Sequence, residues 1–96
     1  MSEDTLLRAL RECIQTIDSL GIPAERADKM LLGPSLDEAL RHARWMAETA
    51  IELVKEHHTE KAFRWLGFIQ GILWANHYLT IADARKMNRD SQRPAA

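Results

Sequence analysis

Apolar residues recur at helical spacing through most of the chain, and no stretch reads convincingly as a strand. Leu6, Leu10, Cys13, Ile17 and Leu20 step by four and three, drawing one face of a first helix over about residues 3–20. Ser2 or Asp4 can cap its start, and Gly21 suits the left-handed residue that stops it. Pro23 fits the first turn of a short second helix, about 24–32, which Gly33-Pro34 closes. Ser35 and Glu38 have capping-box spacing and open a third helix. Its inner face reads Leu36, Ala39, Leu40, Ala43, Met46, Ala47, Ala50, Ile51 and Val54. Arg41, Arg44, Glu48, Glu52, Lys55 and Glu56 lie opposite.

A turn at His57-His58-Thr59, with Thr59 as cap, leads into a fourth helix of different character. From Lys61 to Tyr78 the pattern is apolar nearly all round. Ala62, Leu66, Ile69 and Leu73 form one stripe, and Trp65, Phe68 and Ile72 a second. Phe63 and Trp74 lie near a third. A helix packed against one neighbour needs a single stripe, so this one calls for cover on at least two sides. A chain this short has few elements to provide it, which points to a second copy, most simply a dimer through this helix. Thr80 and Asp83 then repeat the capping-box spacing and open a terminal helix over about 81–87. The predicted fold is all-α: an antiparallel hairpin of the third and fourth helices, the first packed across it, and a short terminal helix. Residues 1–88 form one helical domain, and 89–96, polar and ending near Pro94, form a disordered tail.

The residues that break these patterns are the candidates for function. Trp45, Trp65 and Trp74 sit off the centre of the main stripes. Tryptophan favours half-buried positions and interfaces, so with Phe68 and Ile72 they are predicted to form an interaction surface. Gly67 and Gly71 each cost about 1 kcal/mol against alanine inside a helix. That cost predicts a close approach across the hairpin, with Gly71 level with Trp45, whose indole would lie over it, and Gly67 level with Thr49. Gln70, within the apolar stretch, needs a partner if buried, either its symmetry mate or a nearby tryptophan. Arg41, Arg44, Lys61 and Arg64 can gather on one side of the hairpin as an anion-binding cluster.

Composition narrows the classes of function. A formal net charge of −1 disfavours a general nucleic-acid binder. The lone Cys13, placed among apolar residues, reads as a buried thiol and excludes an internal disulfide. His42, His57, His58 and His77 lack metal-ligand spacing, so no metal and no cofactor are expected. No nucleophile with a nearby base, phosphate loop or paired catalytic carboxylates stand out, and the reading is non-enzymatic. The start MSEDTLL is unlike a signal peptide. The apolar stretch around Ile69 is interrupted and shorter than the ~20 residues a membrane span needs. A soluble intracellular protein is expected.

The block RWLGFIQGILW (Arg64 to Trp74), followed by TIADARKMNR (Thr80 to Arg89), resembles the C-terminal half of small proteins from tailed bacteriophages and prophages. Those proteins typically end in an RWLGFxQGxLW block, a short turn that often contains glycine, and a TI-x-(D/E)-(L/M)-(R/K)-x-x-N-R helix. Asn76-His77-Tyr78 stands here in place of that turn. The group has no assigned activity, so the resemblance carries over no functional residues; it implies a phage or prophage accessory product. A compact helical protein of that class suits binding and blocking a host bacterial protein, for instance in inhibition of a defence system. The alternatives are an oligomeric sponge for a small anionic nucleotide, held by the arginines with a stacked tryptophan, and a structural or regulatory dimer without ligand.

Overall fold

The capping boxes set two helix starts as the sequence predicts. Ser35 Oγ accepts from the Glu38 N–H at 3.2 Å while Glu38 Oε1 accepts from the Ser35 N–H at 3.0 Å. Thr80 and Asp83 repeat the exchange at 2.9 and 3.0 Å. Both carboxyls are held below their usual range, chiefly by the backbone N–H each accepts. The computed structural model describes residues 1–90, which form α1 (Glu3–Asp18), α2 (Leu36–Lys55), α3 (Thr59–Ala75) and α4 (Ile81–Met87) with no strand among them. Ser2 caps α1 through the Thr5 N–H, and Gly21 takes a positive φ of 73° just beyond it.

α2 and α3 form the predicted antiparallel hairpin, and α1 packs against both. The core is Leu6, Leu10, Cys13 and Ile17 of α1, Leu40, Ala43, Ala47 and Ala50 of α2, and Ala62, Leu66, Ile69 and Leu73 of α3. The alanines of α2 keep that helix close to its neighbours. Cys13 is fully buried and its thiol is pushed up to about 12 by desolvation, helped by Glu12. No helix among the described residues is long and apolar enough to cross a membrane.

α2 and α3 end alike. At the close of α2 the His58 N–H bonds Leu53 O and the His57 N–H bonds Val54 O, with His57 at φ 67°. At the close of α3, Tyr78 bonds Leu73 O and His77 bonds Trp74 O, with His77 at φ 71°. Each is a Schellman ending with histidine at the left-handed position where glycine is usual. His77 thus adopts the turn geometry that glycine would give. Thr59, predicted as a cap, is instead the first helical residue. His58 precedes it without a side-chain cap bond, and the Thr59 hydroxyl donates to Glu3 at 3.3 Å.

The short helix predicted over 24–32 does not form. An isolated segment of that length is marginal as a helix, and α2 offers its backbone donors other partners. The Glu25 N–H bonds Arg41 O at 3.1 Å, and the Ala27 N–H bonds His42 Nδ1 at 3.1 Å. Asp28 takes the Met30 N–H on its side chain and the Leu31 N–H on its carbonyl, making a turn. The segment therefore runs as a strap along α2.

α4 is fastened at its C-terminal end. Gln70, buried on α3, exchanges two hydrogen bonds with Asn88: its Nε2 donates at 2.7 Å and its Oε1 accepts at 3.0 Å. Gln70 therefore needs neither a symmetry mate nor a tryptophan. Arg8 of α1 donates to Met87 O and Arg89 O, neutralising the carbonyl end of α4. Asp90 accepts from the Ser2 N–H at 2.8 Å. Arg89 and Asp90, assigned to the tail by the sequence, are thus tied to α1 and the N-terminus. Residues 91–96, the remainder of that predicted tail, lie outside the described residues.

Candidate functional site

Between the 24–34 strap, α2 and α3 lies a half-open groove of about 480 Å³. Leu31 and Pro34 form one lip, Phe68 and Ile72 the other, and Trp45, Met46 and Trp65 the wall between them. Arg26, Asp28, Lys29 and Glu38 stand around the mouth, two charges of each sign. The size falls within the range of natural ligand sites.

The wall is a row of rings braced at both ends. His42 stacks on Trp45 with centroids 5.5 Å apart and planes 28° off parallel. Trp45 meets Trp65 at 5.7 Å and 40°. The Arg26 guanidinium lies 5.0 Å from the Trp45 ring, and the Lys61 ammonium 5.3 Å from the Trp65 ring. Such contacts add about 0.5–1 kcal/mol each at exposed sites. His42 links wall to strap, because its Nδ1 accepts the Ala27 N–H. Burial, and then the Arg26 charge, lower the His42 pKa, so the neutral ring that can accept this bond is favoured.

The predicted surface residues separate into two groups. Trp45, Trp65, Phe68 and Ile72 meet at the groove. Trp74 does not; it lies in a separate shallow cleft with Tyr78, Leu79 and Ile81. Gly67 and Gly71 are not packed by the chain itself. A Cβ placed on either meets nothing within 4 Å, and the Trp45 indole lies on Trp65 and not over glycine. Two glycines spaced four apart therefore sit on an open helix face, flanked by Phe68 at 57% exposure and Trp74 at 55%. From Trp65 to Ala75 that face carries no charge.

Of the four cations predicted as an anion cluster, three are engaged separately. Arg41 binds Asp37 at 2.6 Å and Glu25 at 3.2 Å. Arg44 binds Asp18 at 2.8 Å and Glu48 at 3.0 Å. Each thus faces two carboxylates, which removes its pull on an incoming anion. Lys61 lies on Trp65, and Arg64 is exposed near the start of α3. Among the described residues, no group of three or more His, Cys, Asp or Glu side chains could hold a metal ion.

Sequence reasoning missed the strap and His42. The run Met30-Leu31-Leu32 was the available signal, because three apolar residues at a chain reversal have no core to enter. Met30 is 78% and Leu32 92% exposed. Compared with protein-family models, curated proteins and solved structures, the chain matches none.

Proposed function

We propose that this is a non-catalytic binding protein, a phage-type accessory product that occludes a host bacterial protein, with a defence component as the concrete form of target. The observation that carries the reading is the braced aromatic groove. Its wall is held in place before any partner arrives, so little side-chain freedom is lost on binding. Half-buried tryptophans beside arginine are the usual anchors of protein recognition. The mixed charges at the mouth resemble the polar rim of such a surface. In this reading the working unit is a pair of copies joined through α3, acting in the cytoplasm of the host cell.

The nucleotide-sponge reading is less well supported. It needs a free indole face and free arginines. Trp45 already carries His42, Arg26 and Trp65, while Arg41 and Arg44 are each held by two carboxylates.

The test is capture from a bacterial lysate on the immobilised chain, beside a Leu31→Asp variant that alters the groove lip without touching the core. A bacterial protein held by the parent, lost by the variant, and bound again when purified supports the proposal. Equal retention by both chains, or none by either, counts against it. Calorimetry with cyclic and linear nucleotides gives the alternative its own chance, since heat from one of them would move the reading to the sponge.

A further inference from the structure

We infer that the open face of α3 is a two-fold interface with a second copy of this chain, antiparallel and centred on Gly71. The inference rests on reading α3 as a self-associating helix, and it adds the register. α3 rises about 1.5 Å and turns about 100° per residue. Residues three and four away from Gly71 therefore lie within about 60° of it on the same face. Phe68 and Ala75 fall on one flank, Gly67 and Trp74 on the other. All five are exposed.

A two-fold axis beside Gly71 and perpendicular to the helix sets residues at equal distances on either side of Gly71 level with one another. Phe68 of one copy is then level with Trp74 of the second, and Gly67 with Ala75. The axis keeps each flank on its own side. The Phe68 ring therefore lies against Ala75 of the second copy, and the Trp74 indole over Gly67 of the second copy. Each large ring meets a small residue, and Gly71 meets itself where the backbones come closest. An isologous contact requires such self-complementarity. It also accounts for two helix-interior glycines that nothing in the chain itself requires.

Charge points the same way. Arg64 lies one face-repeat before Gly71, on the same side of α3, and makes no ion pair among the described residues. The antiparallel register sets it level with Tyr78 of the second copy, just beyond the carbonyl end of that copy's α3. The last turn of α3 holds no basic residue. A cation supplied from the second copy complements that end of the helix. The net charge of −1 leaves little overall repulsion between copies.

Area sets the expected strength. Two rings more than half exposed supply about 200 Å², against about 800 Å² per partner in a standard interface. Ile81 beside Trp74 extends the apolar band at one end. The association is therefore weak and concentration-dependent.

Gly71→Cys tests the register. A cysteine on the axis meets its own copy within the ~4.4–6.8 Å Cα separation a disulfide spans. Cys13 is buried and does not compete. Glu52→Cys, on exposed α2, serves as control. Light scattering of the parent from about 1 µM to about 1 mM should rise to twice the chain mass. Under mild oxidation Gly71→Cys should form a covalent dimer at least ten-fold faster than Glu52→Cys, with helix content unchanged. A single-chain mass throughout that range overturns the association itself. A dimer in which Gly71→Cys oxidises no faster than Glu52→Cys overturns the register and leaves the association standing.

Discussion

The two sides of α3 are both apolar, yet only one is covered by the rest of the chain. On one side Ala62, Leu66, Ile69 and Leu73 are buried against α1 and α2. On the other, Phe68 and Trp74 are more than half exposed and flank two glycines that nothing in the chain packs. The buried side is built of aliphatic residues with alanine, which fill a core closely. The open side combines large flat rings with gaps, a poor core but a fitting contact surface for another helix. Hydrophobicity alone does not mark a core; the mix of sizes on a face shows which kind of neighbour it suits.

Breaking the buried side should have the largest effect. Ile69→Ala removes a fully buried branched side chain and is expected to cost about 2–5 kcal/mol. Urea unfolding with fluorescence detection checks it. Phe68→Ala at low concentration should shift the same curve by much less, and equal shifts would erase the distinction between the two sides.

The next effect concerns the polar exception within α3. Asn88→Ala removes the two hydrogen bonds that Asn88 makes to buried Gln70, at a cost of about 1–3 kcal/mol. α4 should loosen first, because Gln70 and Arg8 are what fasten it. Amide exchange should show early loss of protection over 81–87 while the α2–α3 hairpin keeps its own. Uniform loss across all four helices would mean that α4 is not separately latched.

Gly71→Ala should act in the opposite direction. At dilutions where copies are apart it fills open space and improves helix propensity, raising stability by about 0.5–1 kcal/mol. A fall in stability at high dilution would show that the chain itself needs the glycine.

The smallest effect is pH-dependent and belongs to the groove. The His42 pKa is lowered in the fold, so the unfolded chain takes up a proton at higher pH than the folded one. The contribution is fully present above the ordinary histidine value of about 6.5 and is lost as pH falls below it. Protonated Nδ1 can no longer accept the Ala27 N–H. Between about pH 7 and pH 5, NMR should show the Ala27 amide moving together with the His42 ring. His42→Gln, which retains a side-chain acceptor, should blunt the change. A strap unaffected by the His42 titration would contradict the latch.

The parts of the fold legible in sequence were those fixed by near neighbours. Ser35 with Glu38, Thr80 with Asp83, and Gly21 are settled within a turn of chain, and each took its predicted geometry. The stripes of α3 were likewise visible, but periodicity does not tell which stripe another helix will cover. Contacts between distant segments escaped. The strap lost its predicted helix because Arg41 O and His42 Nδ1, distant in sequence, took its donors. Gln70 was seen to need a partner, but Asn88 lies 18 residues on, at the C-terminal cap of α4. The arginine cluster dissolved because Glu25 and Asp18, outside α2, were not part of its local pattern. Of the candidate surface, the aromatic residues were legible by type, and their division between groove and open face was not.

If one side of α3 holds the fold while the other meets a second copy, a single variant can report on both. Phe68→Ser combined with Trp74→Ser should melt within a few degrees of the parent at low concentration. By sedimentation equilibrium it should remain at the single-chain mass of 11.0 kDa at concentrations where the parent sediments as two chains. A double variant that keeps the parent's mass, or one that loses its helices along with its self-association, would contradict the account.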